Sequence, residues 1–137
     1  MADSTLVILK AVRNALVADT TVSALVGTRI YSDPPKNATF PYIYVSIQSG
    51  DYSGHTFTGM EHTITIQAYS RINSPDEAGN IKSAVYDVLN RNESGLTLDS
   101  GRLANIGYNG VGLLALDTDL VTWVGLSQFR AVVTTGA

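Results

Sequence analysis

The sequence predicts an α+β domain, in which two main helices pack on one face of an antiparallel sheet of four to five strands. Two observations predict this class. Apolar residues recur at helical spacing near the N-terminus and again in the middle of the chain. In the other segments they alternate with polar residues, which is typical of a strand that buries one face. The order α, β, β, α, β, β contains no repeat or linker, so residues 1–137 are expected to form one domain.

Two helices are expected near the N-terminus. The first covers about Thr5–Ala18, and Asp3 or Ser4 can cap it because a short side-chain oxygen accepts the free amides of the first turn. Asp19 marks a second cap, which opens a short helix at residues 22–26.

The main helix of the second half has a clear start signal. Ser74 can cap it, Pro75 suits the first helical position, and Glu77 stands where a capping box places its carboxylate. We expect this helix to run to about Asn90, because apolar residues keep helical spacing up to that point.

Strands are expected in six segments, two of them brief. The segments are 29–31, 42–48, 61–70, 96–98, 103–117 and 121–135. Gly107, Gly110 and Gly112 do not lie between a strand and a helix, so they predict bulges rather than a dinucleotide site. Asp117 and Asp119 are spaced like a carboxylate pair, but aspartates beside a turn more often accept hydrogen bonds from its backbone.

The outward face of two neighbouring strands lacks the charges that a solvated sheet face usually carries. Its residues are uncharged, β-favouring and partly aromatic, a composition that suits protein interfaces. We therefore predict a subunit interface made of Tyr42, Tyr44, Thr63, Thr65, Gln67 and Tyr69.

The segment between those strands, residues 49–59, is rich in Gly, Ser and Thr and is long for a hairpin. It predicts a protruding, mobile loop that could dock a partner. The residues that would make this contact are Asp51, Tyr52, His55 and Phe57.

Composition argues against several classes of function. The chain has a formal charge of −3, its nine basic residues are scattered, and it contains no cysteine, so neither nucleic-acid binding nor a thiolate metal site is expected. No apolar run is long enough to cross a membrane. His55 and His62 have no spacing that fixes a metal site with Asp51 or Glu61, and we expect both to be ordinary surface histidines. No catalytic or cofactor-binding residues are predicted.

The order of short patterns resembles the tail completion, or tail terminator, family of long-tailed phages and gene transfer agents. The matching segments are ALVADTTVSALVGTRIYSDPP, FPYIYV, SPDEAGNIKSAVYDVLN and TWVGLSQFRAVVTT. The resemblance implies a non-enzymatic protein of the virion tail, assembled in the host cytoplasm. It further implies a ring, commonly of six subunits, that caps the tail tube protein and offers its other face to the head–tail connector. A neck or head-closure protein of the same particle is the alternative reading, and a small cytosolic ligand-binding domain is a further one.

Overall fold

The computed structural model describes residues 3–53 and 58–134. Its helices are α1 (Thr5–Ala18), α2 (Thr20–Val26) and α3 (Asp76–Leu89), with a short 3-10 helix at Glu93–Gly95. Its strands are β1 (Ile30–Tyr31), β2 (Tyr42–Ser53), β3 (Thr58–Ser70), β4 (Arg102–Leu116) and β5 (Trp123–Thr134). These elements confirm the predicted α+β class.

The five strands form one sheet in the order β1-β2-β3-β5-β4. All neighbours pair antiparallel except β1 and β2, which pair parallel through Ile30 and Ile43. The sheet is therefore mixed but mostly antiparallel, and only the two-residue strand β1 adds a parallel pair. The connection from β1 to β2 is not a tight hairpin, so it leaves room for the chain to return in the same direction.

The hydrophobic core lies between the helices and one face of the sheet. Inward residues of the strands alternate with half-exposed ones, as the period of two requires. All three helices contribute buried side chains to this core. Its largest fully buried side chains include Ile8, Leu16, Ile43, Ile64, Ile66, Ile81, Leu89, Ile106 and Phe129.

The predicted loop at 49–59 is mostly strand. The register between β2 and β3 continues without a break from Tyr42 opposite Tyr69 to Ser53 opposite Thr58. Each added pair satisfies backbone donors and acceptors, and this outweighs the weak strand propensity of Gly and Ser. The strand expected at 96–98 is absent, since this segment follows the 3-10 helix without joining the sheet.

The helix starts follow the sequence signals only in part. The Asp19 carboxylate accepts the Val22 amide at 3.0 Å, which confirms its cap. Ser74 accepts the Asp76 amide at 3.1 Å, so it lies one residue further from the helix than predicted. Glu77 accepts from the Ser70 hydroxyl at 2.7 Å, so the predicted capping box was wrong. The carboxylate is drawn instead to a buried hydroxyl at the end of β3.

The predicted irregularity of β4 is confirmed. Its register against β5 shifts between Tyr108 and Gly112, and Gly110 has a φ of 86°. That conformation favours glycine, because at positive φ a Cβ atom would crowd the carbonyl oxygen of its own peptide unit. From Gly112 onward the pairing with β5 is regular.

Candidate interaction surfaces

The structure brings the six predicted interface residues together on the sheet face that points away from the helices. Tyr42 is opposite Tyr69, and Tyr44 is opposite Gln67. Thr63 and Thr65 continue the same side of β3. All six are partly exposed. We call this surface, made of Tyr42, Tyr44, Thr63, Thr65, Gln67 and Tyr69, the open face. Its role as an interface stays a prediction.

Aromatic rings cluster where the open face reaches the β1 border of the sheet. Tyr42 stacks on Tyr69 with ring centroids 5.1 Å apart, and it also contacts Phe40 at 5.1 Å and Tyr31 at 6.0 Å. Partial burial raises the pKa of the Tyr42 and Tyr69 hydroxyls, so both stay neutral at physiological pH. The Arg71 guanidinium lies 4.3 Å from the Phe40 ring centroid. We call Tyr31, Phe40, Tyr42 and Tyr69 the aromatic cluster.

The charged residues that flank the open face neutralise each other. Arg130 binds Glu61 in a two-point contact, with nitrogen–oxygen distances of 2.9 and 3.0 Å. This hydrogen-bonded contact with Arg130 lowers the pKa of the Glu61 carboxyl, which therefore stays ionised. A partner covering this face would meet a paired charge rather than an isolated one, so the desolvation cost is reduced.

Sequence analysis missed a concentration of exposed apolar side chains along one border of the sheet. It comprises Val111, Leu113, Leu114, Leu116, Leu120 and Val121, which are 40–75% exposed. We call it the apolar edge. It combines the second half of β4, a border strand of the sheet, with the turn into β5. The sequence did contain a signal for this apolar surface, because residues 103–116 include no charged residue.

The structure tests the predicted docking loop only in part. The backbone of Asp51 and Tyr52 belongs to β2, not to a loop. His55 and Phe57 lie outside the described residues. The docking role of these four residues stays a prediction.

His62 is not a surface histidine, and that prediction was wrong. Its side chain is fully buried on the helix side of β3. One ring nitrogen lies 2.8 Å from the Ser4 hydroxyl and the other 2.6 Å from the Ser49 hydroxyl. Burial lowers the pKa of the imidazole, although nearby Asp3 partly opposes this shift. These contacts connect the start of α1 to β2 and β3, and the imidazole itself has no exposed surface.

The aspartates of the β4–β5 turn bind its backbone, as predicted. Asp119 accepts the Val121 and Thr122 amides at 2.9 and 2.8 Å, and the Thr122 hydroxyl at 2.6 Å. These hydrogen bonds, led by the Thr122 hydroxyl, lower the pKa of Asp119 to about 2. The described residues contain no group of three or more acidic or histidine side chains that could hold a metal ion. In the described part of the chain, every helix is too short or too polar to span a membrane.

Comparisons with known proteins agree with this architecture. The family model described as "Tail completion protein gp17" matches residues 10–134. A solved structure titled "Virion of native gene transfer agent (GTA) particle" contains a chain that is 25% identical, with a TM-score of 0.85. The alignment covers 97% of this chain and 99% of that one. No curated protein sequence matches. The chain therefore belongs to the tail completion protein gp17 family and is a structural protein of a phage-like virion tail.

Proposed function

We propose that this tail protein forms a ring at the end of the tail tube, where it stops tube polymerisation and presents the surface for head attachment. The observation that carries the proposal is the open face, a flat, uncharged and aromatic sheet surface in a member of a tail completion family. Such a surface suits a protein partner better than water, because its hydroxyl and amide groups can pair while its rings bury apolar area.

The mechanism is steric and needs no chemical step. A ring on the last layer of the tube covers the groups that would bind the next tube subunit, so growth stops. Copies in such a ring contact each other head to tail, and the contact closes if the rotation between copies divides a full turn. The open face supplies one half of that contact.

The tip of the β2–β3 hairpin is proposed to dock the tube protein or the head–tail connector. The pairing of β2 with β3 continues to Ser53 opposite Thr58, so the proposed contact residues lie in or next to the end of these two strands. The proposed contact residues remain Asp51, Tyr52, His55 and Phe57.

Electron microscopy of particles assembled without this protein tests the role. Overlong or uneven tails are expected, because nothing would then stop the tube. Tails of normal length beside heads that leak DNA would contradict the terminator role and favour a head-closure protein instead.

The subunit face has a separate test in purified protein. The double variant Thr65→Lys/Tyr69→Lys, called the face variant, places two charges on the open face and should leave the fold intact. We expect it to lose the wild-type oligomer in light scattering, alone and mixed with tube protein. Asn14→Lys/Thr21→Lys is the matched control, since both positions are exposed on α1 and α2. An unchanged oligomer in the face variant would remove the open face from the contact.

A further inference from the structure

The apolar edge is too large and too localised to be ordinary surface. It holds six of the nine large hydrophobic side chains that are exposed in the described chain. They line the border on both faces, because successive side chains of a strand alternate: Leu114 lies on the α3 side, where a Cβ atom on Gly79 would be 3.3 Å from it, and Leu113 lies on the other side. Scattered single hydrophobic residues need no explanation, but this cluster does.

The same border lacks the devices that usually keep an edge strand from pairing. Residues 103–116 contain no lysine, other charge or proline. The bulge near Gly110 lies before the regular part of the strand, which runs from Gly112 to Leu116. In the described chain, β4 has β5 on one side and no strand on the other. The outward backbone groups of β4 and its apolar side chains are thus both available for contact with another chain.

The register places one residue of the aromatic cluster, Tyr31, on the opposite border of the sheet at the same height as Leu113. The pairs along this row are Tyr31 with Tyr44, Tyr44 with Gln67, Gln67 with Leu126, and Leu126 with Leu113. One row across the sheet thus joins the aromatic cluster to the middle of the apolar edge. A ring relates its copies by rotation without translation along the axis. If that axis runs along the strands, the two borders of adjacent copies meet at this row.

We propose that the apolar edge of one copy packs against the aromatic cluster of the next copy. This inference rests on the ring of the proposed function and identifies the second half of its subunit contact. The leucine and valine side chains would cover tyrosine and phenylalanine rings. The charge beside the cluster, Arg71, already stacks on Phe40 and lies 3.9 Å from Asp119. A standard interface buries about 800 Å² per partner, so the apolar edge can form the core of one.

A second copy is favoured over other occupants because one chain carries both halves. Tyr31 and Leu113 lie on opposite borders, four strand spacings apart, so they cannot contact each other within one copy. The two surfaces also differ from each other, so the contact is head to tail and leads to a ring or a filament rather than to a closed pair. Tail tube protein at the apolar edge is the competing occupant.

Charge substitution in the apolar edge tests the inference directly. The double variant Leu113→Lys/Leu116→Lys, called the edge variant, should remain folded, because both side chains are at least 40% exposed. We expect it to be monomeric by light scattering under conditions in which the wild type is a ring. Asn14→Lys/Thr21→Lys is the control, since both positions are exposed on α1 and α2 and lie outside both surfaces, and it should assemble like the wild type.

Mixing the two defective variants gives a sharper result. The edge variant keeps an intact aromatic side, and the face variant keeps an intact apolar edge. A head-to-tail contact therefore predicts a one-to-one heterodimer that cannot extend. A mixture that stays monomeric, or one that restores full rings, would overturn the inference.

Cysteine cross-linking tests the same contact without added charge. The chain has no cysteine, so the pair Tyr31→Cys and Leu113→Cys provides the only thiols. Four strand spacings separate β1 from β4, about 19 Å, which is too far for a disulfide within one chain. Oxidation should produce a ladder of covalent oligomers that ends at the ring size, whereas either cysteine alone should give dimers at most.

The outcomes separate this inference from the proposed function. Rings in the edge variant, or no ladder from the cysteine pair in assembled rings, would overturn the edge-to-cluster contact while leaving the terminator role intact. If the edge variant forms rings that no longer bind tube protein, the apolar edge binds the tube protein instead of a second copy. A wild type that stays monomeric with and without tube protein would also overturn the inference. The terminator role is judged independently by tail length.

Discussion

At the scale of residues, Asp119 and His62 each form hydrogen bonds that hold parts of the chain together. Asp119 organises the β4–β5 turn, and His62 joins the start of α1 to the sheet. Both act through hydrogen bonds whose strength depends on protonation. Each therefore makes a prediction about pH.

Asp119 is expected to stabilise the protein above pH 4 and to lose this effect in acid. Its pKa is about 2 in the folded chain against an ordinary value of 3.8, so the stabilisation is present above 3.8 and is lost as the pH falls through about 2. Asp119→Ala should lower the melting temperature at pH 7 by a few degrees. The difference in melting temperature between this variant and the wild type, measured by calorimetry, should shrink between pH 4 and pH 2. Asp99→Ala, at an exposed position, is the control.

His62 is expected to make the fold weaken as the pH falls below 6.5. Burial lowers its folded pKa below the ordinary 6.5, so the unfolded chain binds the proton first. Stability is thus highest above 6.5 and declines toward the lower folded pKa, by at most about 1.4 kcal/mol per pH unit for one proton.

The comparison with His62→Gln isolates this effect. Glutamine can contact Ser4 and Ser49 but does not titrate. Urea midpoints at pH 7 and pH 5.5 should fall more for the wild type than for the variant. Equal shifts in the two proteins would show that other groups cause the pH dependence.

At the scale of elements, α3 packs closely against β5 at a glycine. A Cβ atom built on Gly125 would lie 2.7 Å from the Ala78 carbonyl oxygen, a backbone atom that cannot move alone. The glycine thus sets how near α3 packs to the sheet. This closeness helps bury Ile81 and Val85 of α3.

Gly125→Ala should therefore destabilise the fold by about 1–3 kcal/mol, because α3 has to shift away from β5. Gly50→Ala is the matched control, since a Cβ atom there would have no neighbour within 4 Å. Urea denaturation should show a lower midpoint for the first variant only. Equal stability of the two variants would show that α3 can move without cost.

At the scale of the whole molecule, the two proposed contact surfaces are nearly free of unpaired charge. The formal net charge of −3 comes from residues scattered elsewhere. Copies therefore meet with little electrostatic steering or repulsion, and apolar burial drives their association.

Ring assembly should accordingly depend little on salt. Raising sodium chloride from about 0.1 M to about 1 M shortens the Debye length from about 10 Å to about 3 Å. We expect the midpoint concentration of assembly, measured by sedimentation, to change less than about threefold. A drop in assembly of tenfold or more would mean that ion pairs hold the copies together.

The sequence by itself determined the element types, the α+β class and the alternation that places Tyr42, Tyr44, Thr63 and Thr65 on one face. These features are local, because caps, helical spacing and strand alternation depend on residues close in the chain. The order of short patterns was also enough to indicate the tail completion family.

Only the tertiary structure decided which strands are neighbours. It paired β1 parallel to β2, made β4 the far border and buried His62 beside Ser4, a residue 58 positions away. No local signal specifies such contacts, because strand pairing is chosen by which arrangement buries the most apolar surface and satisfies the most backbone groups. The apolar edge is the clearest case, because only the place of β4 on a border of the sheet shows that its leucines are exposed.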